Sequence, residues 1–370
     1  MQKHLLGAAG ALIMAATLGG TAEAQIKISY GTYLPPTHVN NHAGIEPFAK
    51  RVEQETGGKV KFEIFTGGSV APAKAAIDQI RDKLVTSGMI VDSYVNKELP
   101  HSYTLTELAL QGKDALVMAG AVNEMQLVDC KGCLDEQKKA GIISTAFYST
   151  APYVFMCKSP VTKVDDMKGK KVRATAAFGL LVKSMGGVPV NITSDEVYEA
   201  MQRGQAECNV GADAWLKSYT LWDVAKAVTK QPIGTYHGGQ LFAINAETFK
   251  SLPAEVKASI KKNAPILAAD VTFGYLQESK AAQEGAASHG VKFVEPDASL
   301  TKAYEDFLKN DTKRVIEQAQ KRGVKNADAL IEAFLGKIAK WEKIVKDEVK
   351  GDKAKYIAAL NREVYSKASF

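Results

Sequence analysis

The sequence predicts an α/β protein of two lobes, with strands that cross a hinge and long helices that span both lobes. Removal of a 24-residue leader from the 370-residue chain leaves 346 residues, more than one hydrophobic core usually supports. Strand-like and helix-like segments alternate in two separate stretches, as in lobes built on sheets with crossover helices. No flexible linker joins these stretches, so we expect the chain to cross between the lobes more than once.

Residues 1–24 have the pattern of a secretory signal peptide. A basic start, Met1–His4, precedes the apolar run Leu5–Leu18 and small residues that end in Ala22-Glu23-Ala24. This pattern predicts export to the periplasm with cleavage before Gln25. A membrane anchor is the alternative, but the apolar run is short and is broken by glycine.

The first lobe is predicted to contain residues 25–150 and 239–280. Apolar residues alternate at Ile26–Tyr30, recur at helical spacing over Ile45–Val52, and form a second strand at Val60–Phe65. A helix at Ile77–Leu84 and a short buried strand at Met89–Val91 follow. This alternation with short connections predicts a parallel sheet with crossover helices.

The second lobe is predicted to contain residues 151–238 and 281–370, including the C-terminal helices. Its predicted strands and helices are strands at 153–157, 170–174 and 206–210, and helices at 177–185 and 212–228. Thr193 and Glu196 form a capping-box pattern before another helix. A strand at 240–244 returns to the first lobe, and everything beyond Pro253 has a helical pattern.

The charge of the chain restricts its partners only weakly. The formal net charge is +6, and charged residues make up 24% of the chain without a basic run typical of a nucleic-acid-binding arm. We therefore expect no nucleic-acid partner. A mildly basic surface is compatible with an anionic ligand but does not specify one.

Four cysteines remain after export, which allows three pairings in an oxidising compartment. Cys130 and Cys133 form a C-x-x-C pattern in a helical stretch, for which a local structural disulfide is the favoured interpretation. Free thiols, a metal site and redox chemistry remain alternatives. The pattern leaves the pairing of Cys157 and Cys208 open. Because the six histidines are scattered, we expect no metal site.

Several ordered motifs resemble one family of transport proteins. Asp165–Arg173, Gly187–Val190, Glu196–Gly204, Leu221–Lys226 and Asn245–Pro253 resemble successive segments of the substrate-binding proteins of tripartite ATP-independent periplasmic (TRAP) transporters. Each motif is weak by itself, but their order and spacing cover essentially the whole mature chain. The chain is thus similar to C4-dicarboxylate-binding-protein-like members of this family.

The resemblance implies a two-lobed periplasmic-binding-protein fold that closes over a small organic acid. It implies delivery of that acid to the small and large TRAP membrane subunits, contact with the membrane only through them, and no cofactor. The family arginine that binds the ligand carboxylate matches Arg173, whose planar guanidinium provides paired donors and a permanent charge. A surface ion pair is the alternative role for Arg173.

This chain departs from the family pattern at two places. Tyr153 stands where many members have a second arginine, and Gly211 stands where many have asparagine. Asp213 and Trp215 are the nearest residues able to replace the lost contacts. These departures predict a monoanion with a hydroxylated, keto-bearing or aromatic remainder rather than a four-carbon dicarboxylate.

Further candidates lie where strands end, because ligands of open α/β sheets bind outside the carboxyl ends of strands. Tyr33, Ser93, Tyr94, Phe178 and Gly239 are the candidates of this kind. Core packing is the alternative for each aromatic side chain. His38, His42 and His237 are expected on the surface or along the cleft.

Two other classes of function compete with TRAP transport. The chain has no G-x-S-x-G, H-E-x-x-H, phosphate-loop or dinucleotide-binding pattern, so an enzyme is not indicated, although a triad is defined by geometry rather than by sequence order. A binding protein of an ATP-driven importer, or a ligand sensor, would have the same two-lobed organisation.

Overall fold

The computed structural model describes residues 25–370, so the predicted signal peptide lies outside the described part of the chain. Two six-stranded sheets form its framework. The strands, in chain order, are β1 (Ile26–Gly31), β2 (Val60–Phe65), β3 (Ser87–Val91), β4 (Ile142–Ser144), β5 (Phe147–Tyr148), β6 (Tyr153–Cys157), β7 (Lys171–Arg173), β8 (Val188–Val190), β9 (Cys208–Ala212), β10 (Ala227–Thr229), β11 (Gly239–Asn245) and β12 (Lys292–Val294).

Helices connect and cover the sheets. They are α1 (Glu46–Glu55), α2 (Ala76–Arg81), α3 (Pro100–Thr106), α4 (Ala115–Glu124), α5 (Lys131–Lys139), α6 (Ala176–Ser184), α7 (Val197–Gln202), α8 (Trp215–Ser218), α9 (Ala246–Ser251), α10 (Ala254–Gly285), α11 (Ala298–Leu308), α12 (Asp311–Lys321), α13 (Ala327–Ile344) and α14 (Lys353–Leu360). None of the helices in residues 25–370 combines the length and the apolar character that a membrane span requires.

The first sheet has the strand order β2-β1-β3-β11-β4, with β5 also paired to β11. Strand β1 pairs in parallel with β2 and β3, as the alternation of strands and helices predicted. Ile28 and Tyr30 are the buried alternate residues of β1. Strand β11 arrives from much later in the chain and runs antiparallel to β3 and β4.

The second sheet has the order β12-β10-β6-β9-β7-β8 and corrects two expectations. The helix predicted over 212–228 is wrong, because Thr220 adopts a left-handed conformation (φ 57°) after the short helix α8 and the segment ends as strand β10. The expectation of only helices beyond Pro253 is also wrong, since β12 pairs in parallel with β10. A three-residue strand among long helices leaves little periodicity to detect.

The chain passes between the sheets at three places: between β5 and β6, between β10 and β11, and through α10 to β12. The first two connections are joined to each other, because Thr150 N donates to Tyr236 O at 2.9 Å and Tyr153 N donates to Gly234 O at 2.7 Å. Helix α10 has 32 residues, so it extends about 48 Å and contacts both α1 and α8. These connections agree with a two-lobed fold.

The C-terminal helices do not pack on the second sheet alone. Helix α11 contacts α6, whereas α13 contacts α4 and α14 contacts α10. Buried Glu124 on α4 accepts hydrogen bonds from Lys337 and Lys340 and from Trp341 Nε1, each at 2.8 Å. Helices α13 and α14 therefore pack on the part of the fold that carries the first sheet. The lobe boundaries predicted from the sequence did not anticipate this contact.

Candidate functional site

A cavity lies between the two sheets and is walled mainly by aromatic side chains. Its lining comprises residues from the ends of β1, β3, β5, β6 and β7, from the loop before α7, from α8 and the residue after it, from the crossing segment before β11, and from α10. The aromatic members are Tyr33, His38, Tyr94, Tyr148, Tyr153, Trp215, Tyr219, Tyr236 and Tyr275. Arg173 is the lining residue with a permanent charge, so the cavity combines one cation with many rings and hydroxyl groups.

Arg173 is held at the end of β7 by hydrogen bonds from two of its nitrogens. Its Nε donates to Ile192 O at 3.1 Å, and its Nη2 donates to Tyr94 Oη at 2.9 Å. The guanidinium lies 5.6 Å from the ring centroid of Trp215. Arg173 is only 2% exposed, and no carboxylate within residues 25–370 approaches its nitrogens to 4.0 Å. It is therefore a buried cation without a protein counter-ion, which an anionic ligand can neutralise.

The loop that supports Arg173 is fixed by the predicted capping box. Glu196 Oε2 accepts from Thr193 N at 2.9 Å and from Thr193 Oγ1 at 2.8 Å. These hydrogen bonds hold the pKa of Glu196 below its usual range, mainly through Thr193. The same loop places Ser194, whose backbone N donates to Tyr94 Oη at 3.0 Å. Thus the Tyr94 hydroxyl, just after β3 of the first sheet, contacts both Arg173 of the second sheet and Ser194.

Most of the sequence-predicted residues converge on this cavity. Tyr33 and Tyr94 meet edge to face at 5.9 Å, and Tyr153 meets Trp215 at 5.4 Å. Gly211 allows the second packing arrangement, because an added Cβ would lie 2.3 Å from Trp215 Cε3. The indole therefore occupies the place beside β9 that a side chain at position 211 would take.

Three predicted residues lie outside the cavity wall. Phe178 packs behind Tyr153, with ring centroids 4.9 Å apart. Asp213 Oδ2 accepts from Gln283 Nε2 at 2.6 Å, which ties the end of β9 to α10. Gly239 stands behind Tyr148, where an added Cβ would lie 2.1 Å from the ring. Each of the three supports a neighbouring element and does not line the cavity.

The three loop histidines have different environments. His38 lines the cavity, and burial lowers its pKa to about 3, so this ring is neutral at physiological pH. Its Nδ1 accepts from Asn40 N at 3.2 Å, and its Nε2 faces Tyr275 Oη at 3.3 Å. His42 is at the surface beside Glu278. His237 is buried away from the cavity, which corrects the expectation of a surface or cleft position.

Sequence reasoning missed several lining residues and one residue behind the wall. Tyr148, Tyr219, Tyr236 and Tyr275 come from four separate elements, and none follows a sequence motif for binding. Asp92 lies behind the wall, where its Oδ1 accepts from Tyr236 Oη at 3.1 Å. The end of strand β3 was the available signal for Asp92, because it immediately precedes the predicted Ser93.

Two disulfides are present. Cys130 is bonded to Cys133, which confirms the predicted local disulfide. Cys130 caps α5, and its Sγ accepts from Cys133 N at 3.0 Å. Cys157 is bonded to Cys208, its direct partner across the antiparallel β6–β9 ladder. Within residues 25–370, no group of three or more histidine, cysteine or acidic residues is arranged to hold a metal ion.

The fold and the buried, cationic cavity define a two-lobed solute-binding protein. Residues 30–319 match DctP, the bacterial extracellular solute-binding protein family 7. The chain belongs to this family. Since the family consists of substrate-binding receptors, the prediction that the protein is not an enzyme is confirmed.

Relatives in the same family are distant in sequence. A solute-binding protein of Albidiferax ferrireducens is 27% identical over 198 residues, which cover 52% of this chain and about half, 56%, of that relative. The C4-dicarboxylate-binding periplasmic protein DctP of Rhodobacter capsulatus is 24% identical over 324 residues, 83% of this chain and 92% of the relative.

A solved structure has the same fold. The TRAP solute-binding protein of Rhodoferax ferrireducens T118, solved with copurified benzoate, superposes with a TM-score of 0.78 at 18% identity. The alignment covers 87% of this chain and 100% of that chain. The predicted two-lobed fold and the resemblance to TRAP substrate-binding proteins are therefore confirmed.

Proposed function

We propose that this protein captures a small monocarboxylate with an aromatic, hydroxylated or keto-bearing remainder and delivers it to the small and large subunits of a TRAP transporter. The observation that carries the proposal is the buried Arg173 guanidinium, whose nitrogens have no carboxylate of residues 25–370 within 4.0 Å. A ligand carboxylate can take paired hydrogen bonds from the guanidinium edge and supply the missing negative charge.

The charges around the cavity favour a monoanion over a dicarboxylate. Arg173 is the permanent cation of the lining, and the other basic lining residue, His38, is neutral because burial lowers its pKa to about 3. Tyr153 takes the place of the second family arginine. A second ligand carboxylate would be buried without a cation, which costs several kcal/mol even after relaxation.

The aromatic walls favour a ligand with a flat apolar body. Tyr33, Tyr153 and Trp215 offer ring faces, and such contacts add about 0.5–1.5 kcal/mol beyond the burial of area. The related structure that copurified with benzoate supports an aromatic acid. The dicarboxylate-binding relative supports the alternative, a four-carbon diacid.

The compartment and the partners form the second part of the proposal. Export to the periplasm with cleavage before Gln25 would release residues 25–370 as the mature protein. We assign residues 25–150 and 239–280 to lobe I, and residues 151–238 and 281–370 to lobe II and the C-terminal helices, of which α13 and α14 pack on α4 and α10 beside the first sheet. Adjacent genes for one small and one large membrane subunit would support TRAP transport, whereas an adjacent ATPase gene would support an ATP-driven importer.

Calorimetry on ligand-stripped protein tests the ligand assignment. We expect monocarboxylates such as benzoate and mandelate to bind more tightly than succinate, malate or fumarate. Arg173→Lys keeps the charge but loses the planar fork, so affinity for the tightest acid should fall at least about tenfold, or ~1.4 kcal/mol. Arg203→Lys, at an exposed position at the end of α7, is the matched control and should leave affinity unchanged. Unchanged affinity in Arg173→Lys, or tighter binding of a dicarboxylate than of every monocarboxylate, would contradict the proposal.

A further inference from the structure

A buried carboxyl group stands behind one wall of the cavity and does not line the cavity itself. Asp92 follows β3 and is 1% exposed. Its Oδ2 accepts from Thr106 Oγ1 at 2.6 Å, and its Oδ1 accepts from Tyr236 Oη at 3.1 Å. Tyr236 lines the cavity, and its hydroxyl lies 3.3 Å from the hydroxyl of Ser93, another lining residue. Asp92 therefore acts on the cavity through Tyr236 and Ser93.

The chemistry of these groups sets the direction of their hydrogen bonds. A phenol donates more readily, and accepts less readily, than an aliphatic hydroxyl group does. An ionised Asp92 only accepts, so both Thr106 and Tyr236 must donate to it. Burial raises the pKa of Asp92 to about 8, and in the protonated form its hydrogen belongs on Oδ2, which faces the better acceptor, Thr106. Tyr236 thus donates to Asp92 in either form.

When the Tyr236 hydrogen points at Asp92, this wall of the cavity presents oxygen lone pairs to a ligand. Because the Tyr236 hydrogen is used on Asp92, only Ser93 can donate in the 3.3 Å contact between the two hydroxyl groups, and the lone pairs of Ser93 Oγ are then free to accept. Arg173 presents only donors. Tyr153 separates the two groups: its ring lies parallel to Tyr236 at 6.2 Å and contacts Trp215, which lies under the guanidinium.

We propose that Ser93 and Tyr236 form an acceptor end of the cavity that selects acids carrying a hydroxyl group remote from the carboxylate, with Asp92 as its positioning residue. The inference rests on the proposed function, since it places the ligand carboxylate at Arg173. A ligand hydroxyl group can donate a hydrogen bond to these lone pairs. A second ligand carboxylate would instead be repelled, because its oxygens and the oxygens of Ser93 and Tyr236 all carry negative charge. The acceptor end therefore both selects hydroxylated acids and disfavours diacids.

Matched acids test the acceptor end in calorimetry on the full mature protein. The series are benzoate and phenylacetate, their 3- and 4-hydroxy derivatives, and the corresponding methoxy acids, which can accept but not donate. We expect at least one hydroxy acid to bind about tenfold more tightly than both its parent and its methoxy analogue. Tyr236→Phe should reduce this preference to threefold or less, while the affinity of the parent acid changes by less than threefold.

Asp92→Leu tests the positioning role. Leucine has a similar shape but no accepting oxygen, so the Tyr236 hydroxyl loses the acceptor that directs its hydrogen away from the cavity. The preference for the hydroxy acid should fall at least threefold, with the parent acid bound as in the unmodified protein. A purely structural defect would weaken both acids together. Tyr103→Phe, which removes a hydroxyl outside the cavity lining, is the control, and Tyr236→Phe alone decides if Asp92→Leu fails to fold.

The outcomes separate this inference from the proposed function. Suppose that Arg173→Lys loses affinity for every acid. A hydroxyl preference that persists in Tyr236→Phe, or that is absent from the unmodified protein, then overturns the acceptor end alone. Binding of these acids that is insensitive to Arg173→Lys overturns the proposed function. Failure of every acid in the series to bind overturns both.

Discussion

At the scale of single residues, the site depends on groups whose burial changes their chemistry. Arg173 keeps its charge although it is buried, because a guanidinium does not deprotonate in proteins. His38 instead loses its charge, and the pKa of Asp92 rises to about 8 through burial. The same low-dielectric environment therefore leaves Arg173 charged and favours the neutral forms of His38 and Asp92.

Burial of Asp92 predicts a pH dependence of stability. The pKa of an aspartate in an unfolded chain is about 3.9. Between about pH 4 and pH 8 the folded state therefore binds more protons than the unfolded state. The stabilisation from protonated Asp92 is thus complete at low pH and is lost as pH rises toward 8. Relative to Asp92→Asn, the unmodified protein should lose free energy of unfolding between pH 5 and pH 8, measured by urea denaturation. Asp223→Asn, at an exposed position, is the control for removal of one carboxylate, and parallel curves for the unmodified protein and Asp92→Asn would contradict the prediction.

At the scale of elements, the two disulfides act on loops of very different length. Cys130–Cys133 closes a turn of 3 residues' separation at the start of α5, whereas Cys157–Cys208 joins β6 to β9 across a separation of 51 residues. Strands β6 and β9 carry Tyr153 at one end of their ladder and the cystine at the other. The second disulfide therefore secures the sheet that also positions Arg173 through β7.

This difference predicts unequal losses of stability. In the loop-entropy model, a closed loop of about 51 residues contributes about 4 kcal/mol and one of about four residues about 2 kcal/mol. Replacing both Cys157 and Cys208 by alanine should lower the free energy of unfolding more than the same change at Cys130 and Cys133. All four cysteines are buried, so the packing loss is matched between the pairs. Denaturation in guanidinium measures both variants, and an equal or reversed order would count against the entropic account.

At the scale of the whole molecule, contacts across the cleft hold the lobes together. Tyr94, from the first lobe, accepts hydrogen bonds from Arg173 and from the backbone of Ser194 in the second. Thr37 Oγ1 also donates to Ser218 O at 3.0 Å across the cleft rim. The crossing segments and α10 leave a small number of connections about which a two-lobed molecule can open and close.

Removal of the Tyr94 hydroxyl should shift ligand-free protein toward an open form. Two hydrogen bonds at about 0.5–1.5 kcal/mol each correspond to roughly a 5- to 150-fold change in the ratio of closed to open molecules. Small-angle scattering of ligand-free Tyr94→Phe should therefore give a larger radius of gyration than the unmodified protein. Tyr103→Phe removes a hydroxyl that lies away from the cleft and should leave the radius unchanged. Equal radii for all three proteins would contradict this role of Tyr94.

The sequence by itself determined the α/β class and the two-lobed organisation, indicated the family through its ordered motifs, and favoured the Cys130–Cys133 disulfide over its alternatives. Each of these depends on local periodicity or on motifs that are continuous in the chain, such as Asp165–Arg173. The sequence also brought forward Tyr33 and Tyr94, which follow strands, Arg173, through the family resemblance, and Trp215, through its position near Gly211. Short-range patterns of this kind can be recognised in a single sequence.

Only the tertiary structure decided what surrounds Arg173. Tyr275 reaches the cavity from a long helix, and Tyr236 reaches it from a crossing segment, so neither position carries a local pattern for binding. Cys157 and Cys208 pair because β6 and β9 are neighbours in the sheet, although 51 residues separate them. Burial, which leaves Arg173 without a counter-ion and places Asp92 behind Tyr236, is a property of many distant residues packed together, and no short segment encodes it.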